Sequence, residues 1–150
     1  MTELFSLSGR RALVTGANAG IGQAIAVALA GQGAHVACLG RRPSDETVAR
    51  ITKAGGSAES RLADLADPMA ATGLFAEAGF DLLVNNAGII RRADSTEFSE
   101  EDWDAVMDVN LKSVFFTTQA FGRALIASGK PGAVVNIASL LSFQGGIRVP

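Results

Sequence analysis

A chain of 150 residues, 48% of them hydrophobic and with a mean hydropathy of +0.27, is long enough to bury one globular core and too apolar to be disordered. Its net charge of -2, with both signs mixed along the sequence, excludes a basic face for nucleic acid or anionic lipid. One cysteine (Cys38) and one histidine (His35) exclude an internal disulfide and leave no metal-ligand set.

The first strand signal runs from about Arg10 to Thr15, where the apolar run Ala12-Leu13-Val14 meets a turn with glycines at 16, 20 and 22. A helix follows from about Gly20 to Gly31. Strand, glycine turn and helix in this order let backbone N–H groups and the positive helix end face an anion. The spacing G-x-x-x-G-x-G differs from G-x-G-x-x-G, and no lysine follows Gly22, so a nucleotide-hydrolase loop is disfavoured. Nucleotide binding and an ordinary glycine-rich turn are both open at this point.

The second strand, Ala34 to Leu39, holds Cys38 as a buried small hydrophobe and places His35 at its entry. It ends at Gly40-Arg41-Arg42-Pro43. Ser44 then caps a polar helix that stops at Gly55-Gly56. Ala58 to Leu62 is a weaker third strand leading to Asp64-Leu65. Asp67-Pro68 predicts a helix over Pro68 to Ala78. Asp81 to Asn85 is a short buried strand, followed by Asn86-Ala87-Gly88. Ser99, with acidic residues at 100 to 102, opens a long helix to about Ala127. On it Trp103, Val106, Met107, Asn110, Leu111, Val114 and Phe115 form an apolar stripe. The polar Asn110 therefore needs either a structural backbone bond or a role in a site. A turn at 129–132 leads to a fifth strand, Ala133 to Ala138, and then Ser139.

Strands rich in Val, Leu and Ala alternating with helices predict an α/β fold, a doubly wound parallel sheet covered on both faces. Ligands then bind outside the carboxyl ends of the strands. The five segments that follow strands would line one crevice: 15–22, 40–42, 64–65, 85–88 and 139 onward. Asn85 to Gly88 suits either a flat ligand or an Asn-Gly-type turn. With no histidine base nearby, Ser139 suits donation to a substrate oxygen better than acyl attack.

Thr15-Gly16-x-x-x-Gly20-Ile21-Gly22, Asp64-Leu65, Asn85-Asn86-Ala87-Gly88, Asn110 and Asn136-Ile137-Ala138-Ser139, in this order, resemble the short-chain dehydrogenase/reductases. The resemblance implies a Rossmann sheet binding NAD or NADP and hydride transfer between cofactor and an alcohol or carbonyl. It implies that Gly16, Gly20 and Gly22 shape a pyrophosphate turn with Asn18 and Ile21. Asp64 and Leu65 would lie at the adenine, and Asn86, Ala87 and Gly88 at the adjoining ribose. Asn110 would hold a water in the proton relay, and Ser139 would orient the substrate. The family's tyrosine general acid/base would fall just past Pro150, and these 150 residues contain no tyrosine. The expectation is therefore the N-terminal part of a single Rossmann dinucleotide-binding domain (1–150), cut after its fifth strand and inactive by itself. Its fifth strand would present an open edge.

At the second strand end, where NAD-preferring relatives present a carboxylate, Gly40 is followed by Arg41 and Arg42. These arginines favour NADP, or else form a solvated basic turn. Residues 85–116 and 136–150 resemble sugar-acid members of the family: the 2-deoxy-D-gluconate 3-dehydrogenases and 2-dehydro-3-deoxy-D-gluconate 5-dehydrogenases. That group is usually associated with NAD, against the reading of Arg41. Arg91, Arg92 and Arg148 follow strand ends and suit a substrate carboxylate, with Arg92 and Arg148 taken as its ligands. A 3-oxoacyl carrier-protein reductase and a non-catalytic dinucleotide-binding module are the alternatives. The resemblance further implies a homotetramer with the long helix at an interface. Short, interrupted apolar runs and an N-terminus without a signal pattern predict a cytoplasmic protein with no membrane or nucleic-acid partner.

Overall fold

Ala12, Leu13 and Val14 are all fully buried, although successive strand residues point to opposite faces. Both faces of the strand are covered, which is why it reads as a continuous apolar run. The structure is a computed structural model and describes residues 4–149. Its elements are β1 (Arg11–Thr15), α1 (Gly20–Gly31), β2 (His35–Gly40), α2 (Asp45–Lys53), β3 (Ser57–Leu62), α3 (Phe75–Ala78), β4 (Leu82–Asn85), α4 (Glu100–Met107), α5 (Ser113–Ser128) and β5 (Ala133–Asn136). The strands form one parallel sheet in the order β3-β2-β1-β4-β5. Register pairs Thr15 with Leu39, Gly40 with Leu62 and Asn85 with Asn136, so the strands end along a common edge.

Each face carries its own core. Ala12, Val14, Val36 and Cys38 pack with Ala26 and Ala30 of α1 and Ile51 of α2. Leu13, Ala37, Leu39 and Leu83 pack on the other face with Phe75, Phe80 and Phe121. Phe75 meets Phe80 and Phe121 edge-on, with ring centroids 5.8 and 5.6 Å apart. Burial pushes the Cys38 thiol up to about 11, so it packs as a neutral hydrophobe. His35 bonds Ser57 and faces Glu59. Burial pushes the Glu59 carboxyl up, but Arg61, 2.8 Å away, and then His35 outweigh it and hold it below the usual range.

Three local expectations are corrected. The helix expected over Pro68 to Ala78 is a series of turns followed by a 3₁₀ turn (Thr72–Leu74) and the short α3. Asp67 Oδ1 accepts from Met69 N at 2.9 Å, and i-to-i+3 bonds from Ala70 and Thr72 follow, so tight turns take the groups a helix would use. Ser44 stands at the N-cap of α2, but its hydroxyl makes no cap bond. Instead its backbone N–H donates to Ser60 Oγ at 2.9 Å. The long helix is interrupted by a π-helical segment, Asp108–Lys112, between α4 and α5. Its buried stripe is Val109, Ser113, Thr117 and Phe121, while Trp103, Leu111 and Phe115 are more than half exposed. Ser113 tolerates burial because its hydroxyl donates to Val109 O at 2.7 Å, a local bond that hydrophobicity does not record. Ser99 caps α4, accepting from Asp102 N at 3.1 Å. No helix among the described residues is long and apolar enough to cross a membrane.

Candidate dinucleotide site

The end of β1 is fastened to the turn after β4. Thr15 Oγ1 accepts from Asn86 N at 3.0 Å and Ala87 N at 2.9 Å, and Asn86 Nδ2 donates back to Thr15 O at 3.0 Å. The amide expected at a ribose is therefore spent on the strand end and sets the turn. Gly16 (φ +67°) lies against Ala87, and a Cβ on Gly22 would overlap Gly16 O and Asn86 Nδ2. These two glycines are needed for packing between turn, helix and β4. Gly20, also left-handed at φ +57°, meets nothing within 4 Å of its missing Cβ and leaves open space. The first turn of α1 carries no acidic residue and no side-chain cap, so its N–H groups and positive end are open to an anion.

A cleft of about 440 Å³ opens at the strand ends. Gly16 and Asn18 line it from the first turn, Gly40, Arg41 and Arg42 from the second, and 63–66 from the third. Asn86, Ala87, Gly88, Ile89 and Arg91 line it after β4, together with Ala105 and Val109. Gly40 is buried, with the Arg42 carbonyl 3.0 Å from where a Cβ would stand, and offers no carboxylate there. Asp64 Oδ1 accepts from Ala66 N at 3.0 Å. The arginines 41, 42 and 91, open glycine backbone and small side chains suit a phosphorylated flat ligand.

Nine expected cofactor residues thus share one cleft: Gly16, Asn18, Arg41, Arg42, Asp64, Leu65, Asn86, Ala87 and Gly88. Gly20 and Ile21 are exposed on α1 and do not line it, and Gly22 lies buried beneath the turn. Asn110 pairs with Ile89, accepting from its N–H and donating to its carbonyl, both at 2.8 Å. This is the structural backbone bond that its sequence position left open. Ser139 is exposed, and its Oγ accepts from Leu141 N at 3.2 Å. Of the three arginines weighed for a carboxylate, Arg91 alone lines the cleft, held by Asp102 at 2.9 Å. Arg92 donates to Ile147 O at 2.9 Å, and Arg148 pairs with Asp94 at 3.0 Å.

Thr47 supports the site although the sequence analysis assigns it no role, and Asn85 has partners that its place in a motif does not name. Thr47 Oγ1 donates to Ala17 O at 2.8 Å and accepts from Gln23 Nε2 at 3.0 Å, anchoring the glycine turn to α2. Asn85 Nδ2 reaches Asn136 Oδ1 at 2.8 Å and Thr118 Oγ1 at 3.0 Å, tying β4 to β5 and α5. A signal for Thr47 exists, since it is a polar residue one helical turn before buried Ile51.

Comparison with known proteins agrees with this fold. A 2-dehydro-3-deoxy-D-gluconate 5-dehydrogenase of Escherichia coli K12 is 48% identical over 151 residues, spanning 97% of this chain and 60% of that protein. A crystal structure from Agrobacterium tumefaciens, assigned as a 2-deoxy-D-gluconate 3-dehydrogenase with bound NADP, is 70% identical with a TM-score of 0.95. It is matched over 97% of this chain and 59% of its own. A Beutenbergia cavernae structure, assigned as an NAD(P)-dependent gluconate 5-dehydrogenase with bound NADP, is 49% identical with a TM-score of 0.91. There the match covers 97% of this chain and 60% of that one. The chain thus spans about 60% of the length of the curated relatives it matches. The family model described as short chain dehydrogenase matches residues 10–150, and by this match the chain belongs to that family.

Proposed function

We propose that the chain supplies the cofactor half of an NADP-dependent oxidoreductase that interconverts a secondary alcohol and a ketone on a deoxy sugar acid such as 2-deoxy-D-gluconate. The observation that carries the cofactor reading is the convergence of Arg41, Arg42 and the Gly16 turn on one cleft, with Gly40 where a 2′-hydroxyl would want a carboxylate. The bound NADP of the 70% identical Agrobacterium protein supports the same reading. The names of that protein and of the Escherichia coli relative support a sugar-acid substrate.

In this reading the glycine turn and the first turn of α1 hold the pyrophosphate with backbone N–H groups. Arg41 and Arg42 take the 2′-phosphate. Asp64 keeps lone pairs for the adenine amine, and Ala87 and Gly88 leave room for the ribose. A bound nicotinamide dinucleotide supplies or accepts the hydride. The Ser139 hydroxyl accepts from Leu141 N, which leaves its own proton to donate to the substrate oxygen. Arg92 offers its remaining N–H groups to the substrate carboxylate. A place for Asn110 in a proton relay follows from the resemblance; its side chain itself fixes Ile89 in the cleft wall. No tyrosine is present in these 150 residues to move the proton, so they are proposed to bind cofactor without turnover. The exposed Trp103, Leu111 and Phe115 support placing the continuous segment from α4 through α5 in the subunit contacts of a cytoplasmic homotetramer.

Isothermal titration tests the cofactor assignment. Arg41→Ala and Arg42→Ala are expected to weaken NADP binding roughly 10- to 100-fold and to leave NAD binding within a few-fold. Tighter binding of NAD than NADP by the unaltered chain would overturn it.

A further inference from the structure

The loop between β4 and α4 and the segment after β5 are fastened to each other across 54 residues of sequence. Ala93 N donates to Arg148 O at 3.1 Å, Arg92 Nη1 donates to Ile147 O at 2.9 Å, and Arg148 Nε donates to Asp94 Oδ1 at 3.0 Å. One partner in each of the three contacts, Ile147 or Arg148, comes from one tight turn, closed by Val149 N donating to Gly146 O at 3.3 Å. Arg148 is the third residue of that turn and has φ +58°, the one positive value at a non-glycine among the described residues. A turn with positive φ only at its third residue ordinarily takes glycine there. Here a strained residue carries the guanidinium that closes the ion pair.

The two segments joined are those that matter to the site. The β4–α4 loop begins with Asn86 to Ile89 and Arg91, which line the cleft, and the other segment begins at Ser139. We propose that Asp94 and Arg148 form a clasp that orders residues 140–149 against the β4–α4 loop, making Arg148 a positioning residue and not a contact to the substrate carboxylate. The exposed ion pair is weak by itself, and its effect comes from acting with two backbone-directed bonds on the same turn. The ordering stands on the contacts alone, while its bearing on turnover rests on the oxidoreductase reading above.

Hydrogen exchange on this chain separates the possibilities. Asp94→Asn and Arg148→Gly are each expected to speed exchange at Ala93 and across 140–149 by roughly 5-fold, leaving NADP affinity unchanged. The charge swap D94R/R148D restores protection. Arg148→Gly relaxes the backbone of the turn while removing the guanidinium, so undiminished protection in that variant overturns the clasp. Failure of the swap to restore protection overturns it as well. In the native enzyme, the single variants raise the substrate KM or lower kcat, and the swap recovers most of the loss. A swap as defective in turnover as Arg148→Gly would make Arg148 a substrate ligand and overturn the proposal. Lack of sugar-acid turnover by the unaltered enzyme would instead count against the oxidoreductase reading and leave the exchange result to decide the clasp.

Discussion

Gly22 and Gly20 stand two residues apart and are glycine for different reasons. A methyl on Gly22 would be driven into Gly16 O and would lie 2.5 Å from Asn86 Nδ2, whereas one on Gly20 meets nothing within 4 Å. Gly22→Ala is therefore an overpacking change and is expected to cost about 1–3 kcal/mol of stability without any ligand, read by denaturant unfolding. At Gly20 the left-handed φ of +57° makes alanine strained by about 1–2 kcal/mol, but no neighbour is displaced. There NADP affinity should fall more than packing suffers. Titration of both variants checks this: a Gly22→Ala chain of unchanged stability would contradict the contact geometry. Reading all three glycines as room for a ligand is thus too uniform. Two of them make room for the protein itself, and spacing cannot separate the cases because the neighbour, Asn86, lies some 70 residues on.

At the scale of the element, the segment from Ser99 to Ser128 shows why a helical stripe read from hydrophobicity misleads. Through the π-helical residues 108–112 the buried stripe becomes Val109, Ser113, Thr117 and Phe121, while Leu111 and Phe115 are exposed. Such segments recur at functional sites, and this one directs the Asn110 amide onto both backbone groups of Ile89. An amide can donate and accept at once; a carboxylate can only accept. Asn110→Asp is therefore expected to leave the Ile89 carbonyl facing an anion and to cost about 0.5–1.5 kcal/mol, measurable by thermal or denaturant unfolding. A variant as stable as the parent would show that this pairing does not hold the cleft wall. The strands were legible within one or two residues because fully buried parallel strands announce themselves as apolar runs, as Ala12 to Val14 do. The helix expected over 68–78 does not form as one piece because Asp67 and Thr72 satisfy backbone groups locally, a competition that helix signals do not weigh.

The molecule as a whole is lopsided. β1 and β2 are covered on both faces, while β5 is exposed along its length, with Val135 52% accessible. Among the described residues β5 is also a sheet edge, so its unpaired backbone groups and apolar side chains form a template for another strand. The 150-residue chain is expected to self-associate as its concentration rises, and Val135→Lys to reduce the association, with light scattering as the measurement. Equal scattering by both would locate the association elsewhere.

The sequence by itself determined the alternation of strands and helices, the parallel sheet and the crevice at its carboxyl edge. These rest on local periodicity and on the rule that short apolar strands joined by helices must run parallel. It also determined most of the lining of that crevice, since the residues after each strand end are carried to that edge whatever the details of packing. Only the tertiary structure decided which face of the long helix is buried, which glycines serve packing, and where the arginines go. Arg91 reached the cleft wall, while Arg92 and Arg148 found partners in Ile147 and Asp94. The reason is range: a turn or an apolar run is set by neighbours in the chain, but a guanidinium goes to whichever acceptor folding brings within about 3 Å, and no local pattern records that acceptor.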